Sequence, residues 1–182
     1  FPDLLSAIPF TAELNREWNM ILAGYPDDEF TRGREYISGY GFIIGGFDSV
    51  PSKFITQDDF ENPIGLVRHV WKEVDGTEHE YYSGRIAGPD RYKTAVEIAK
   101  AYKIVRKKNI RTAVIVDGTK YPDALASGTA ATMNDGTILL TKPNKLNEDT
   151  KAFIRSNNIK NIIIVGGEKS VSKSVENELK GL

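Results

Sequence analysis

The sequence has 182 residues, of which 40% are apolar and 27% charged, as in an ordinary soluble globular protein with room for one medium domain or two small ones. No apolar run approaches the roughly 20 residues that a membrane-spanning helix needs, so no such helix is expected. The chain has no cysteine, which excludes disulfides and thiolate metal sites.

The net charge of −1 conceals an uneven distribution of charged residues. Residues 1–84, the first half, carry 6 Lys and Arg against 15 Asp and Glu, a balance of −9. Residues 85–182, the second half, carry 18 against 10, a balance of +8. Such a distribution fits two arrangements: the halves dock on each other, or the basic half faces an anionic ligand.

In the first half, apolar segments at 20–23 and 42–44 are separated by polar stretches, and Gly45-Gly46 follows the second of them. Residues 62–84 contain an amphipathic stretch around Val67, Val70 and Trp71, followed by a polar turn at 75–77. We interpret residues 62–84 as a linker between two units.

The second half has a clear alternation of helices and strands. Gly88-Pro89-Asp90 predicts the start of a helix, with proline in its first turn. Short continuous apolar runs predict strands that are buried on both faces, and helical spacing predicts helices after them. The strands are predicted at 112–116, 137–141 and 161–165. Of the later helices, one starts at Pro122 and the other two span 146–157 and 171–179. The last helix is expected to be capped by Ser170 or Ser172.

Three ordered matches indicate an internal repeat. FPDLLS at 1–6 matches YPDALA at 121–126, MILA at 20–23 matches TILL at 137–140, and FIIGG at 42–46 matches IIVGG at 163–167. The sequence therefore predicts an α/β protein of tandem small three-layer Rossmann-like units with parallel sheets. One unit, 85–182, is complete. The other, 1–61, is partial and truncated at its N-terminus, where its first strand and helix are missing, so we expect the chain to be a piece of a longer protein.

The second half resembles the cell wall binding repeat 2 family. Four motifs carry the resemblance in order: RIAGPDRYKTA at 85–95, YPDALA at 121–126, ILL at 138–140, and VGG at 165–167 with VS at 171–172. The first half keeps the central and closing motifs in weaker form.

This resemblance implies a non-catalytic module that anchors a surface or S-layer protein of a Gram-positive bacterium to its wall. The implied ligand is an anionic wall polysaccharide, bound non-covalently. The implied location is secreted, at the cell wall or cell surface. Neighbouring repeats of the same protein are further implied partners, in a trimer-like assembly. Any catalytic activity of the parent protein would lie in a separate domain.

Candidate ligand-binding residues follow from charge and position. Lys142, Asn144 and Lys145 come after the carboxyl end of a strand, where ligands of α/β sheets gather. Arg91 and Arg85 could bind a phosphate in a bidentate manner, or brace the strand–helix junction by pairing with Asp90. Tyr121, at the entry to a helix, could stack on a sugar ring.

The sequence gives little support for a nucleotide, catalytic, metal or nucleic-acid site. The glycine pairs belong to no nucleotide-binding fingerprint, and no serine has a histidine nearby in its unit to activate it. His69 and His79 match no metal-site spacing, so we expect no metal. Because the nucleotide fingerprint and an activated nucleophile are also missing, we expect no cofactor and no enzymatic activity. The basic run at 106–108 lies at a helix end, where cations favour the dipole, and we expect no nucleic-acid partner. A self-assembling scaffold without polymer affinity remains an alternative function, and an enzyme acting on wall glycan is a weaker one.

Overall fold

The structure is a computed structural model that describes residues 2–18, 41–50, 65–120 and 122–182. The described elements alternate between helices and strands through the second half, and the α/β class is confirmed. In chain order they are α1 (Pro2–Trp18), β1 (Gly41–Ile44), β2 (Val67–Lys72), β3 (Glu78–Ile86), α2 (Arg91–Arg106), β4 (Thr112–Asp117), α3 (Pro122–Met133), β5 (Gly136–Thr141), α4 (Glu148–Ser156), β6 (Asn161–Ile164) and α5 (Lys173–Lys180).

The second half contains a three-stranded parallel sheet, which we call sheet B, with strand order β5-β4-β6. Every residue of β4 and β5 is buried, which confirms the strands predicted from continuous apolar runs. Alternate residues point to opposite faces, so Val114 and Ile138 pack into one hydrophobic cluster while Ile115 and Leu139 pack into another. Sheet B therefore has a hydrophobic core on each face.

Side-chain caps fix where three helices begin. The Asp90 carboxylate accepts a hydrogen bond from the Lys93 N–H at 2.8 Å, and Asn147 caps α4 in the same manner. Ser172, one of the two predicted candidates, caps α5. Pro89 lies before the cap of α2 rather than in the first turn, because Asp90 is itself the cap and bonds the Lys93 N–H.

A second sheet, sheet A, has the order β1-β3-β2 and is mixed rather than parallel. β1 and β3 are parallel, whereas β2 and β3 form an antiparallel hairpin, most of which lies in the segment that the sequence assigns to a linker. The expectation of an all-parallel sheet is wrong here, because the turn around Gly76 (φ +90°) is too short for a crossover between parallel strands. The amphipathic stretch lies on β2, with Val70 and Trp71 exposed.

One local arrangement occurs twice, at positions that correspond to each other in the sequence matches. Gly45 and Gly166 have φ values of +115° and +118°, which glycine adopts without steric cost. An aspartate from the start of a helix lies against each: Asp3 Oδ2 is 3.3 Å, and Asp123 Oδ2 2.6 Å, from where a Cβ on that glycine would be. After each glycine pair the chain closes a turn, with Val50 N and Val171 N donating to the carbonyl of the second glycine at 2.9 and 3.0 Å.

The two halves are joined by packing and by opposite charges. α1 packs against α2 and α3, and its Glu13 carboxylate is buried between Arg106 (3.4 Å) and Lys108 (2.9 Å) of the second half. Glu80 of the first half pairs with Lys107. The basic run at 106–108 is therefore neutralised by carboxylates of the acidic half. The pairing of these charged residues fits docking of the two halves on each other, which is one of the two arrangements that the charge distribution allows.

Candidate functional site

The candidate site is the edge of sheet B at which its three parallel strands end. The loops that follow β4, β5 and β6 are held together there by backbone hydrogen bonds. Gly118 N donates to Thr141 O at 2.9 Å, and Ser172 N donates to Pro143 O at 2.9 Å. A ligand at this edge would therefore meet side chains from three loops at fixed relative positions.

The loop after β5 carries three of the predicted contact residues. Lys142 and Lys145 face each other across an isolated antiparallel bridge. The buried Thr141 hydroxyl lies 3.1 Å from Lys145 O and donates to it. Lys142, Asn144 and Lys145 are all exposed. Within the described ranges, no carboxylate forms an ion pair with either lysine, so two cations and an amide project to solvent from a tied loop.

Arg91 reaches the same edge from the first turn of α2. Its Nη1 donates to Gly118 O at 2.6 Å, which ties the guanidinium to the loop after β4. The residue is exposed, and its guanidinium has further N–H donors besides this one. Burial raises the pKa of Asp3, and the nearby charge of Arg91 opposes that shift. The structure therefore brings Arg91 to the edge of sheet B that also carries Lys142 and Lys145.

Arg85 is not available as a contact residue. Its residue exposure is 3%, because β3 is the central strand of sheet A. Its Nη1 donates to Gly45 O at 2.7 Å, and the guanidinium lies 4.2 Å from the centroid of the Phe47 ring. Burial lowers the pKa of this guanidinium. Arg85 therefore has a structural role, as one interpretation of the sequence predicts. Its predicted partner, Asp90, is wrong, because the Asp90 side chain caps α2 instead.

Replacing Arg85 with alanine is expected to lower the free energy of unfolding by about 2–3 kcal/mol. The substitution removes a charge-assisted hydrogen bond and a cation–π contact and leaves Gly45 O without its buried donor. Arg68→Ala is the matched control, because that arginine is exposed and pairs with Glu80 at the surface, where solvent screening leaves an ion pair little net effect on stability. Urea denaturation of both variants measures the difference, and equal losses would refute the structural role of Arg85.

The remaining predicted residue, Tyr121, lies outside the described residues. The first N–H groups of α4 and α5 already bond to the side chains of Asn147 and Ser172, so anion recognition at this edge would depend on cationic side chains. Sequence reasoning missed Lys120 and Lys169, which are exposed in the loops after β4 and β6. Their position after the carboxyl ends of predicted strands was the available signal.

Metal-ligand clusters and membrane-spanning helices were both sought among the residues that the structure describes. No group of three or more His, Asp or Glu side chains in them is arranged to hold a metal ion. No helix among them has the length and apolar character needed to cross a membrane.

Comparisons with known proteins give relatives that match about half of this chain. The chain is 38% identical over 98 residues to the N-acetylmuramoyl-L-alanine amidase LytC of Bacillus subtilis (strain 168), a match that covers 54% of this chain and 19% of the relative. It is 36% identical over 96 residues to the Amidase enhancer of the same organism, covering 53% and 13%. The chain therefore spans less than a fifth of the length of these curated relatives.

A solved structure and a protein family extend the comparison. Cwp8 from Clostridium difficile aligns with 98% of this chain and 27% of its own, with a TM-score of 0.57 and 23% identity, which shows likeness of fold. Residues 85–176, half of the chain, match the family described as Cell wall binding domain 2. The match begins at Arg85 and covers sheet B, α2, α3, α4 and the first half of α5. This chain therefore belongs to the Cell wall binding domain 2 family.

Proposed function

We propose that the chain is a non-catalytic anchoring module that holds a secreted surface protein on the cell wall by binding an anionic wall polysaccharide. The observation that carries the proposal is the pair Lys142 and Lys145 on a hydrogen-bonded loop at the carboxyl edge of sheet B. Family membership supports the wall as the target, and the names of the curated relatives fit a location at the wall.

Charge and shape would drive this recognition. Lys142 and Lys145 supply point charges, Asn144 can both donate and accept, and Arg91 offers a planar fork of donors to a phosphate or carboxylate. Tyr121 keeps its proposed stacking role on sequence grounds. Each contact is weak in water, so we infer that several repeats act together and bind by avidity.

We further propose the arrangement of units on which this avidity depends. Residues 85–182 form a complete Rossmann-like repeat, residues 1–61 belong to a partial one, and residues 62–84 connect them. The repeated Asp–Gly arrangement at Asp3 and Asp123 supports this assignment. In an intact surface protein, such repeats would assemble with one another, and any catalytic domain would be separate.

The charge-reversal pair Lys142→Glu and Lys145→Glu tests the site. We expect the double variant to bind purified Gram-positive walls at least about tenfold more weakly, which corresponds to about 1.4 kcal/mol. The matched control reverses Lys100 and Lys160, which are also exposed but lie on α2 and before β6, away from this edge. Binding is measured by co-sedimentation. Equal affinities of the two double variants would exclude the loop after β5 as the contact.

A self-assembling scaffold is the second candidate, favoured by the ion pairs of Glu13 and Glu80 with basic residues of the second half. The same charges could join separate molecules. This candidate predicts association that weakens with salt, together with no affinity for the wall polymer. Analytical ultracentrifugation over a salt series measures the association. Co-sedimentation with walls then distinguishes the two candidates, because only the anchor binds the wall polymer.

A further inference from the structure

One face of the β2–β3 hairpin, which we call the aromatic face, carries two stacked pairs of rings. The ring of Trp71 stacks on that of His79, with centroids 4.2 Å apart and an angle of 12° between the planes. His69 stacks on Tyr81 in the same manner, at 4.5 Å and 10°. Each pair joins residues that lie directly opposite each other on the two strands. Because His69 and Trp71 are two residues apart on β2, the two pairs lie side by side on one face of sheet A.

Each ring on β2 keeps one flat side that its stacking partner does not cover. His79 covers the inner side of Trp71 and Tyr81 covers that of His69, so the free sides point away from β3. β2 is an edge strand in the order β1-β3-β2, and among the described strands it pairs with β3 alone. Trp71 is 49% exposed and His69 is half-buried. Two ring faces, about 7 Å apart along the strand, are therefore presented at this edge of the sheet.

Hydrogen-bonding groups border the two ring faces. Glu73 follows Trp71 by two residues, and its Oε1 lies 2.9 Å from His79 Nε2, which places the carboxylate on the aromatic face. The Glu73 side chain is about half exposed, so the carboxylate can accept hydrogen bonds from the hydroxyl groups of a ligand. At the other end of the face, His69 Nε2 lies 2.7 Å from Ser83 Oγ. The rings are therefore bordered by polar groups at both ends.

The charges of the hairpin disfavour an anionic ligand on the aromatic face. The two permanently cationic side chains of β2, Arg68 and Lys72, project from the opposite face, because side chains alternate along a strand. Each of them pairs there with a glutamate of β3, Glu80 or Glu78. Residues 67–82 carry two Lys and Arg against four Asp and Glu, a balance of −2. A ligand of the aromatic face is therefore expected to lack negative charge, unlike the polymer proposed at the edge of sheet B.

We propose that the aromatic face binds an uncharged carbohydrate chain. Neighbouring sugar rings would stack on Trp71 and His69, and their hydroxyl groups would donate hydrogen bonds to Glu73. A pyranose ring fits this surface because its C–H groups form a flat apolar face, whereas its hydroxyls lie around the rim. Aromatic side chains that combine a flat apolar body with polar groups at the periphery suit such a partner. These residues precede the segment 85–176 that matches the family, so the site would be specific to this chain.

NMR titration of the full chain with chitotetraose, an uncharged tetramer of N-acetylglucosamine, tests this proposal. We expect saturable shifts of the Trp71 indole N–H and of the backbone amides of residues 69–73. Trp71→Ala should weaken binding about tenfold, and Trp71→Phe should weaken it less, because phenylalanine keeps a flat ring. The matched control is Val70→Ala, since Val70 is 44% exposed on the same strand but projects from the opposite face. We expect the control to bind the sugar as tightly as the parent chain.

Two results at the hairpin would overturn the proposal. One is the lack of a saturable shift at Trp71, and the other is an equal loss of affinity in Trp71→Ala and Val70→Ala. Tetramethylammonium serves as a second probe, because a cation can also bind over an indole ring. A shift of the Trp71 indole with tetramethylammonium but not with the sugar would assign the ring face to a cationic ligand and would likewise overturn the proposal.

Salt dependence separates this site from the wall-polymer site. Because chitotetraose is uncharged, its affinity should be the same at low and high salt, whereas polymer binding should weaken as salt rises. The Lys142→Glu and Lys145→Glu double variant should bind the sugar as tightly as the parent chain. Loss of sugar binding in that variant would place the sugar at the edge of sheet B and contradict the proposal. The carbohydrate site does not rest on the proposed function, so either can fail without the other.

Discussion

Replacing Gly84 with alanine is expected to lower the free energy of unfolding by about 3 kcal/mol or more, the largest loss among the changes considered. Gly84 lies in the central strand of sheet A with φ +124°, a conformation that side chains disfavour. A Cβ there would be 2.3 Å from the backbone oxygen of Gly65. Relief would require moving the backbone that leads from Gly65 into β2.

Gly167→Ala is the matched control, because a Cβ at that glycine meets nothing within 4 Å and its φ is not positive. Urea denaturation should give an unfolding free energy within about 0.5 kcal/mol of the parent for the control. If Gly84→Ala were equally mild, the close approach of Gly65 to β3 would be contradicted. Because β3 joins the two halves, the loss should appear as destabilisation of both.

The second large effect is expected from Glu13→Ala, at about 3 kcal/mol. The carboxylate is buried, and its removal leaves the charge of Arg106, whose side chain is 9% exposed, without this anionic partner. Breaking a buried pair costs more than the pair itself contributes, since the remaining charge stays away from water. Equilibrium unfolding measures the loss.

The control for Glu13 is Glu97→Ala, which removes a surface pair with Lys100 and should cost less than about 1 kcal/mol. Arg106→Met in the Glu13→Ala background provides a second check. Removing the buried guanidinium that has lost the Glu13 carboxylate should restore part of the lost stability. A double variant less stable than Glu13→Ala alone would contradict the buried ion pair as the cause.

Much of the second half could be predicted because its local signals agree. The continuous apolar runs of β4 and β5 require burial on both faces, and Asp90 and Ser172 are side chains that favour helix caps. The position of the loop after β5 followed from the rule that parallel strands end at one edge. These predictions need only residues that are close in the sequence, together with the rule that the connection between two parallel strands of a sheet is right-handed.

The features that could not be predicted depend on contacts between distant residues. The segment assigned to a linker becomes β2 and β3 because β1, about 40 residues earlier, offers an edge for pairing. The sequence could not distinguish a buried from an exposed Arg85, since its surroundings come from Gly45 and Phe47. Glu13 likewise gives no local sign of its pairing with Arg106.

The most direct test of the anchoring function is co-sedimentation of the chain with Gram-positive walls, intact and stripped of their anionic polymer, over a salt series. We predict binding to intact walls only, with affinity that falls as salt screens Lys142, Lys145 and Arg91. Equal binding to both wall preparations, or binding to neither, would contradict polymer recognition at the edge of sheet B.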